Sequence, residues 1–334
     1  MIQVPGIYQQ ALKSQRFIDL FAGIGGFHLA LNSYGAKAVF ASEIDRQAQL
    51  IYQKNFGIIP GGDITKIAED QIPAHDILCG GFPCQPFSIS GKQRGFEDAR
   101  GTLFFDIARI TAYHKPWLVF LENVSHLEKH DDGKTLLSMS RILQNLGYTV
   151  FHQVLNAAHF GIPQRRQRLF IIAFKQELGV KTFTFPKATF EVTNLKCVAL
   201  PEEESKAFVL DRDDYFLKNY EEQHDLFGET VIAEPIRIGH VNLGRQGERI
   251  YHESGAAITL SAHGGGIGAK TGLYLIDGKV RKLAPRECAR LMGFPDDFQI
   301  HESSAQAYKQ FGNAVVVDVV QHIIREIIEQ GINV

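Results

Sequence analysis

Arg16-Phe17-Ile18-Asp19-Leu20-Phe21 has the pattern of a buried strand. It runs directly into Ala22-Gly23-Ile24-Gly25-Gly26-Phe27 and then a helical pattern through Leu29, Ala30 and Leu31. A strand that passes into a helix through a glycine-rich turn opens a nucleotide-binding α/β unit. The glycines let a ligand approach the backbone, and the first helical turn offers unpaired N–H groups. The spacing is not Gly-x-Gly-x-x-Gly, which disfavours a dinucleotide carrying a pyrophosphate. The next strand, Ala38 to Ser42, ends at Glu43, where a carboxylate can clamp ribose hydroxyls. A third unit is expected to end near Asp63, after Gly61-Gly62, with Asp63 and Ile64 suited to the amino group and face of an adenine. In this order, the three signals point to a ligand containing adenosine.

A second apolar run, Asp76-Ile77-Leu78-Cys79, reads as the end of a buried strand and leads into Gly80-Gly81-Phe82-Pro83-Cys84-Gln85-Pro86-Phe87-Ser88. The two prolines fix the backbone around the Cys84 thiol at a strand end, where open α/β sheets bind ligands. Taken alone, the thiol is either a small buried hydrophobe or a nucleophile awaiting partners. The four cysteines (Cys79, Cys84, Cys197 and Cys288) form no Cys-x-x-Cys pair. That argues against a zinc site, so no metal is expected, and scattered thiols suit a reducing compartment. From Ser88 to Gly101 the chain is punctuated by glycine and carries Lys92, Arg94 and Arg100, as a loop that contacts phosphate would.

Further along, Thr102 to Tyr113 reads as a helix and Pro116 to Leu121 as a buried strand, with Glu122-Asn123-Val124 at its end. A helix from Leu136 to Leu146 is stopped by Gly147, and strands follow at Thr149–Leu155 and Leu169–Phe174. Arg165, Arg166 and Arg168 lead into the last of these, and cationic groups at a buried strand need acceptors. Net charge over the 334 residues is only −2, so any polyanion-binding surface must be local. Eleven acidic residues between Val198 and Glu234 face only Lys206, Arg212 and Lys218, which suggests an outer face or linker. Nine basic residues against four acidic ones follow between Pro235 and Arg290, in a glycine-rich stretch with short β patterns at Ala257–Ser261 and Leu273–Ile276. This reads as a small basic module. Finally, Asn313 can cap a helix whose apolar stripe, Val316 to Ile328, must return to the first sheet. No signal peptide or membrane span is visible, so a cytoplasmic protein is expected.

Together, Asp19-Leu20-Phe21-Ala22-Gly23-Ile24-Gly25-Gly26, Gly81-Phe82-Pro83-Cys84-Gln85, Glu122-Asn123-Val124, Gln164-Arg165-Arg166-Gln167-Arg168, Arg286 to Pro295 and Gln310-Phe311-Gly312-Asn313-Ala314-Val315 resemble the ordered motifs of the DNA cytosine-5 methyltransferases. The likeness spans nearly the whole chain and is nearest to the compact HhaI-type bacterial modification enzymes. It implies a Rossmann-like α/β catalytic and S-adenosylmethionine-binding domain over residues 1–195. A smaller, loop-rich, mainly β target-recognition domain and hinge would cover 196–285, with a return to the catalytic domain over 286–334.

The resemblance makes Cys84 the nucleophile that adds to C6 of cytosine, and Glu122 the group at N3 and the exocyclic amine. Arg168 and Arg166 would hold the O2 edge and the surroundings of the thiol. The cofactor pocket would take Phe21, Gly23, Ile24, Gly26, Glu43, Ile44, Asp63, Ile64, Gly81, Pro83, Leu103, Asn313, Ala314 and Val315, with the Phe21 ring against the sulfonium. Duplex DNA would be met by Ser88, Ser90, Lys92, Arg94, Gln246, Arg249, Thr259, His263, Gly264, Gly265 and Gly266, with the target base flipped out of the stack and Gln246 filling the gap. Three positions depart from the pattern: Ile44 replaces an aromatic, His263 a tyrosine and Ala314 a serine. The resemblance also implies a GCGC site, a monomer, and functional pairing with a restriction endonuclease without an obligatory complex. An RNA cytosine-5 methyltransferase and a DNA-binding module without catalysis are the alternatives; Cys84, Glu122 and Arg168 together argue against the second.

Overall fold

A computed structural model describes residues 4–83, 103–189, 193–218, 234–264 and 266–332. The apolar runs in the first half of the chain do form strands: β1 (Arg16–Leu20), β2 (Lys37–Ser42), β3 (Ile77–Gly81), β4 (Leu118–Val124), β5 (Tyr148–Asn156) and β6 (Gln167–Lys175). They make one sheet in the order β2-β1-β3-β4-β6-β5, in which β1 pairs in parallel with β2 and β3, β3 pairs in parallel with β4, and β4 pairs antiparallel with β6. Four helices alternate with the strands: α1 (Gly26–Asn32), α2 (Arg46–Phe56), α3 (Leu103–His114) and α4 (Lys134–Asn145). Asp45 starts α2 by accepting from the N–H groups of Gln47 and Ala48, and Gly57 at φ 70° ends it. Leu78, Val119, Leu121 and Ile171 of the sheet are buried with Phe104, Ile107 and Ile110 of α3 in a common core.

The second half adds the four-residue α5 (Glu202–Ser205), then β7 (Tyr215–Leu217), β8 (Arg237–Val241), β9 (Arg249–His252), β10 (Leu273–Ile276) and β11 (Lys279–Arg281). These strands form a separate five-stranded sheet in the order β11-β10-β9-β8-β7 around Ile238, Val241, Ile250, Leu273 and Val280. Helices α6 (Pro285–Leu291), α7 (Ser304–Asn313) and α8 (Val317–Glu329) close the chain.

The chain divides into two compact units. One comprises residues 2–155, 167–186 and 320–334; the other comprises 156–166 and 187–319. Residues 320–334 belong to the unit of the first sheet, whereas 286–319 belong to the other. Val320, Ile323, Ile324 and Ile327 are buried, and the Tyr34 hydroxyl donates to the Gln321 carbonyl at 2.8 Å. Gln321 Nε2 donates to Ser33 Oγ at 2.9 Å.

Four local expectations change. Asp63 does not end a strand; instead it caps a short 3-10 turn, Ile64–Lys66. Glu122 lies inside β4 rather than beyond it, because pairing with β6 prolongs the strand to Val124. Asn313 closes α7 instead of capping α8. Ala257–Ser261 forms one isolated bridge, Gln164 to Ala257, because the motif residues described below take up its backbone groups.

Candidate active site

In the first unit, β1 connects to β2 on one side and lies next to β3 on the other. The crevice at the carboxyl ends of β1 and β3 is thus the topological switch point, the place where such sheets bind ligands. The turn after β1 is strained: Phe21 has φ 55°, and Gly23 and Gly25 follow at 54° and 91°. A bulky residue held in the left-handed region is an outlier of the kind found at ligand clamps. A Cβ on Gly25 would lie 2.1 Å from the Phe56 ring, whereas one on Gly23 would meet nothing within 4 Å. Gly25 is therefore required by packing, and Gly23 faces open space. Ile24 is buried, leaving only its backbone to a ligand, and Gly26 is the first residue of α1.

Glu43 holds this turn. One oxygen accepts from the Gly23 N–H at 2.8 Å and the other from the Asp45 N–H at 2.8 Å. Burial pushes its carboxyl above the usual range, although these backbone donors oppose the shift. Ile44, beside it, is 71% exposed and offers an apolar surface at the rim. Asp63 accepts from the Thr65 N–H and hydroxyl at 3.1 and 2.8 Å, and those bonds hold it below the ordinary carboxylate range. Ile64 is buried, and its carbonyl accepts from Arg109 at 2.7 Å. Arg109 also binds Asp106, Glu69 and the Ile67 carbonyl, so it fixes the Asp63–Ile64 segment from α3, the helix that Leu103 begins. Nothing local in the sequence marked that role.

The second feature of the crevice is a carboxylate–guanidinium pair. β4 pairs Glu122 with Phe170 and Val124 with Arg168, so Glu122 and Arg168 are diagonal neighbours on one face of the sheet. Arg168 Nε donates to Glu122 Oε1 at 3.0 Å, with both side chains mostly buried. The other oxygen, Oε2, lies 3.3 Å from where a Cβ on Gly81 would sit. A side chain there would press on the carboxylate. Asn123 donates from Nδ2 to the Phe82 carbonyl at 2.8 Å and pins the chain as it leaves β3 toward exposed Pro83. Cys84 itself, with Ser88, Ser90, Lys92 and Arg94, lies outside the described residues, as does Gly265.

Beneath the turn, Asp19 and Cys79 are fully buried, and burial raises both well above their ordinary values. The Cys79 thiol donates to the Ile18 carbonyl at 3.2 Å. It is a core residue.

In the second unit the Gln164–Arg166 segment acts as an anchor. Gln164 donates to the Leu291 carbonyl at 2.8 Å and accepts from the Leu260 N–H at 3.1 Å. Arg166 is buried to 2% exposure, and its guanidinium donates to the carbonyls of Leu260, Gly312 and Ala314 at 3.0, 2.9 and 2.8 Å. The Thr259 hydroxyl donates to the Arg165 carbonyl at 2.5 Å. Alternate residues face opposite ways along this extended stretch, so Gln164 and Arg166 point inward while Arg165 reaches an exposed ion pair with Glu234. Asn313 is exposed, and Ala314 and Val315 are buried beside it in sequence.

The basic module gathers the remaining sequence candidates. Gln246 is exposed on a 3-10 turn, held by Glu248 accepting from the Arg245 N–H at 2.9 Å. The Gly268 N–H donates to the Gly247 carbonyl at 2.8 Å, joining the glycine loop to that turn. A Cβ on Gly264 would lie 2.6 Å from Ala269, and Gly266 has φ 90°. Both glycines are therefore dictated by the fold of the loop. His263 and Gly264 are exposed, and Arg249 begins β9 in the same unit. Among the described residues no helix is long and apolar enough to cross a membrane, and no group of His, Cys, Asp and Glu could hold a metal.

A family model for C-5 cytosine-specific DNA methylases matches residues 15–329. The chain is 53% identical to the type II methyltransferase M.HhaI of Haemophilus parahaemolyticus, over 95% of each protein. It is 41% identical to M.HpaII of Haemophilus parainfluenzae, over 94% of this chain and 89% of that one. Among solved structures, the S. pombe Dnmt2 methyltransferase superposes with a TM-score of 0.70 at 21% identity, covering 96% of this chain and all of that one. At that identity the likeness speaks for the fold alone.

Proposed function

The chain belongs to the C-5 cytosine-specific DNA methylases, and on that premise we propose that it methylates cytosine within GCGC in duplex DNA as the modification half of a restriction–modification system. The methyl donor of the family is S-adenosylmethionine, which when bound supplies an electrophilic sulfonium methyl. Phe21, Gly23, Glu43, Asp63 and Gly81 suit it: an open face at Gly23, a buried carboxyl at Glu43 and a capped carboxylate at Asp63 are what an aminoacyl-adenosine ligand needs.

The reading assigns covalent catalysis to Cys84. Its thiolate adds to C6 of a flipped-out cytosine, and electron density moves to C5 and the N3 side of the ring. Glu122 meets that side, orientated by Arg168, and stabilises the charge that develops there. After methylation a base removes the C5 proton, the C6–S bond breaks, and aromaticity returns. Asn123 positions the backbone from which Cys84 emerges. Arg166 is a positioning residue in this scheme, since both its Nη groups donate to backbone carbonyls. Residues 1–195 serve catalysis and cofactor binding, 196–285 target recognition, and 286–334 the return to the catalytic domain. The protein acts as a cytoplasmic monomer and needs no complex with its endonuclease.

The observation that carries this proposal is the Glu122–Arg168 pair beside Gly81, three residues before Cys84 in the chain. Bisulfite sequencing of a mixed-sequence plasmid after incubation with enzyme and donor tests it. Protected cytosines confined to GCGC, lost with Cys84→Ser, are the expected result. Methylation of RNA but not duplex DNA, or activity that survives Cys84→Ser, overturns it.

A further inference from the structure

On the outer face of the five-stranded sheet, three residues form a row across three strands. β7 pairs Phe216 with His240, and β9 pairs Arg249 with the same His240. Directly opposed side chains in such a ladder lie close enough to act on one ligand. The His240 ring lies 5.6 Å from that of Phe216, which is 54% exposed. Arg237, on the same strand, joins the group: its Nη2 and His240 Cγ both lie 3.2 Å from where a Cβ on Gly244 would sit.

Among the described residues, the side chains of Arg237, His240 and Arg249 have no hydrogen bond or ion pair. The neighbouring acids are already engaged: Asp214 holds Arg212, and Glu248 accepts from the Arg245 N–H and from Asn242. From β7 the uncharged ring of Phe216 faces the histidine. His240 Nδ1 and Arg249 Nε are enclosed and unpaired, so both side chains must make their bonds through outer atoms, Nε2 and the Nη groups. Two guanidinium groups and an imidazole with their outer donors unused suit a phosphate diester.

We propose that His240 is a further DNA-contacting residue, which donates from Nε2 to one backbone phosphate of the bound target, beside the guanidinium groups of Arg237 and Arg249. This rests on the reading of duplex DNA as substrate.

The test is binding to a duplex carrying the methylated site, compared with a series of duplexes in which one phosphate at a time is replaced by an uncharged methylphosphonate. His240→Ala is expected to weaken binding to the unmodified duplex roughly tenfold with its thermal midpoint kept. At one methylphosphonate position the wild type should lose about as much, and His240→Ala should lose nothing further there, whereas His263→Gln should still lose it. Affinity of His240→Ala equal to that of the wild type, or losses that add at every position, overturns the proposal. Methylation of the same duplex by the wild type is measured alongside, which separates a failed phosphate site from a failed function.

Discussion

Replacing Arg166 and Arg168 in turn by lysine should separate two roles that share one motif. Arg166 is buried and donates to three backbone carbonyls at 2.8–3.0 Å. A lysine ammonium on a flexible stem can reach one of these acceptors in the place of a planar fork. Two carbonyls would then be buried without a donor, at about 1–3 kcal/mol each, for a total loss of roughly 2–6 kcal/mol. Against a typical net stability of about 5–15 kcal/mol, that is a large fraction. Arg168 is different: one bond at 3.0 Å joins two side chains that keep some contact with water, and an ammonium can maintain the pair. Arg168→Lys should change stability by less than about 1 kcal/mol. It should nevertheless lower methyl transfer roughly a hundredfold, because the orientation of Glu122 is lost. Urea midpoints and transfer of a labelled methyl group to DNA read the two quantities separately. If Arg166→Lys kept the wild-type midpoint while abolishing transfer, Arg166 would have to act at the reacting atoms, and the division of labour argued here would be wrong.

Three other expectations follow. His28, His75 and His322 are each pushed down to about 4 by burial. Between pH 6.5 and 4 the unfolded chain therefore binds more protons than the folded one, and stability must fall as pH drops through that window, by up to about 1.4 kcal/mol per pH unit for each histidine. A denaturation midpoint independent of pH across it would contradict the burial of these rings. Gly312→Ala would place a Cβ 2.4 Å from the Ala262 nitrogen, backbone against backbone. It should cost about 1–3 kcal/mol and weaken DNA binding, and a thermal midpoint equal to that of the wild type would refute the close approach. Ile44→Trp offers a ring to the adenine from an exposed rim position. Calorimetry should show the donor bound roughly three- to tenfold more tightly, in line with about 0.5–1.5 kcal/mol for an aromatic contact; unchanged affinity would place the adenine elsewhere.

Much of this fold could be read from the chain because its strands are short apolar runs bounded by glycine and proline. β1, β3 and β6 lie within a residue or two of their expected bounds. The site was legible where chemistry and position coincide at a strand end, as at Glu43 and Glu122. Partners distant in sequence were not. The bond from Gly23 to Glu43 spans 20 residues, and those from Arg166 to Gly312 and Ala314 span nearly 150. The three arginines of the motif look alike in sequence. Only the register of β6 against β4 shows that Arg168 meets Glu122. Asn123 was visible within its motif, yet its grip on the Phe82 carbonyl depends on how two strands align, which no local pattern records. Asp63 was found for its carboxylate but in the wrong element, since a turn and a strand end both favour an acid after paired glycines.

Apart from a contact of Gln164 with the Met292 sulfur, the bonds described for Gln164 and Arg166 go to main-chain atoms: an N–H and a carbonyl of Leu260, and carbonyls of Leu291, Gly312 and Ala314. Such atoms are common to every amino acid. A lineage can therefore exchange the side chains at these five contacts, and those of the loops they carry, without loosening the mooring. Altered base preference can arise by substitution at exposed positions such as His263 while the frame that presents them stays put.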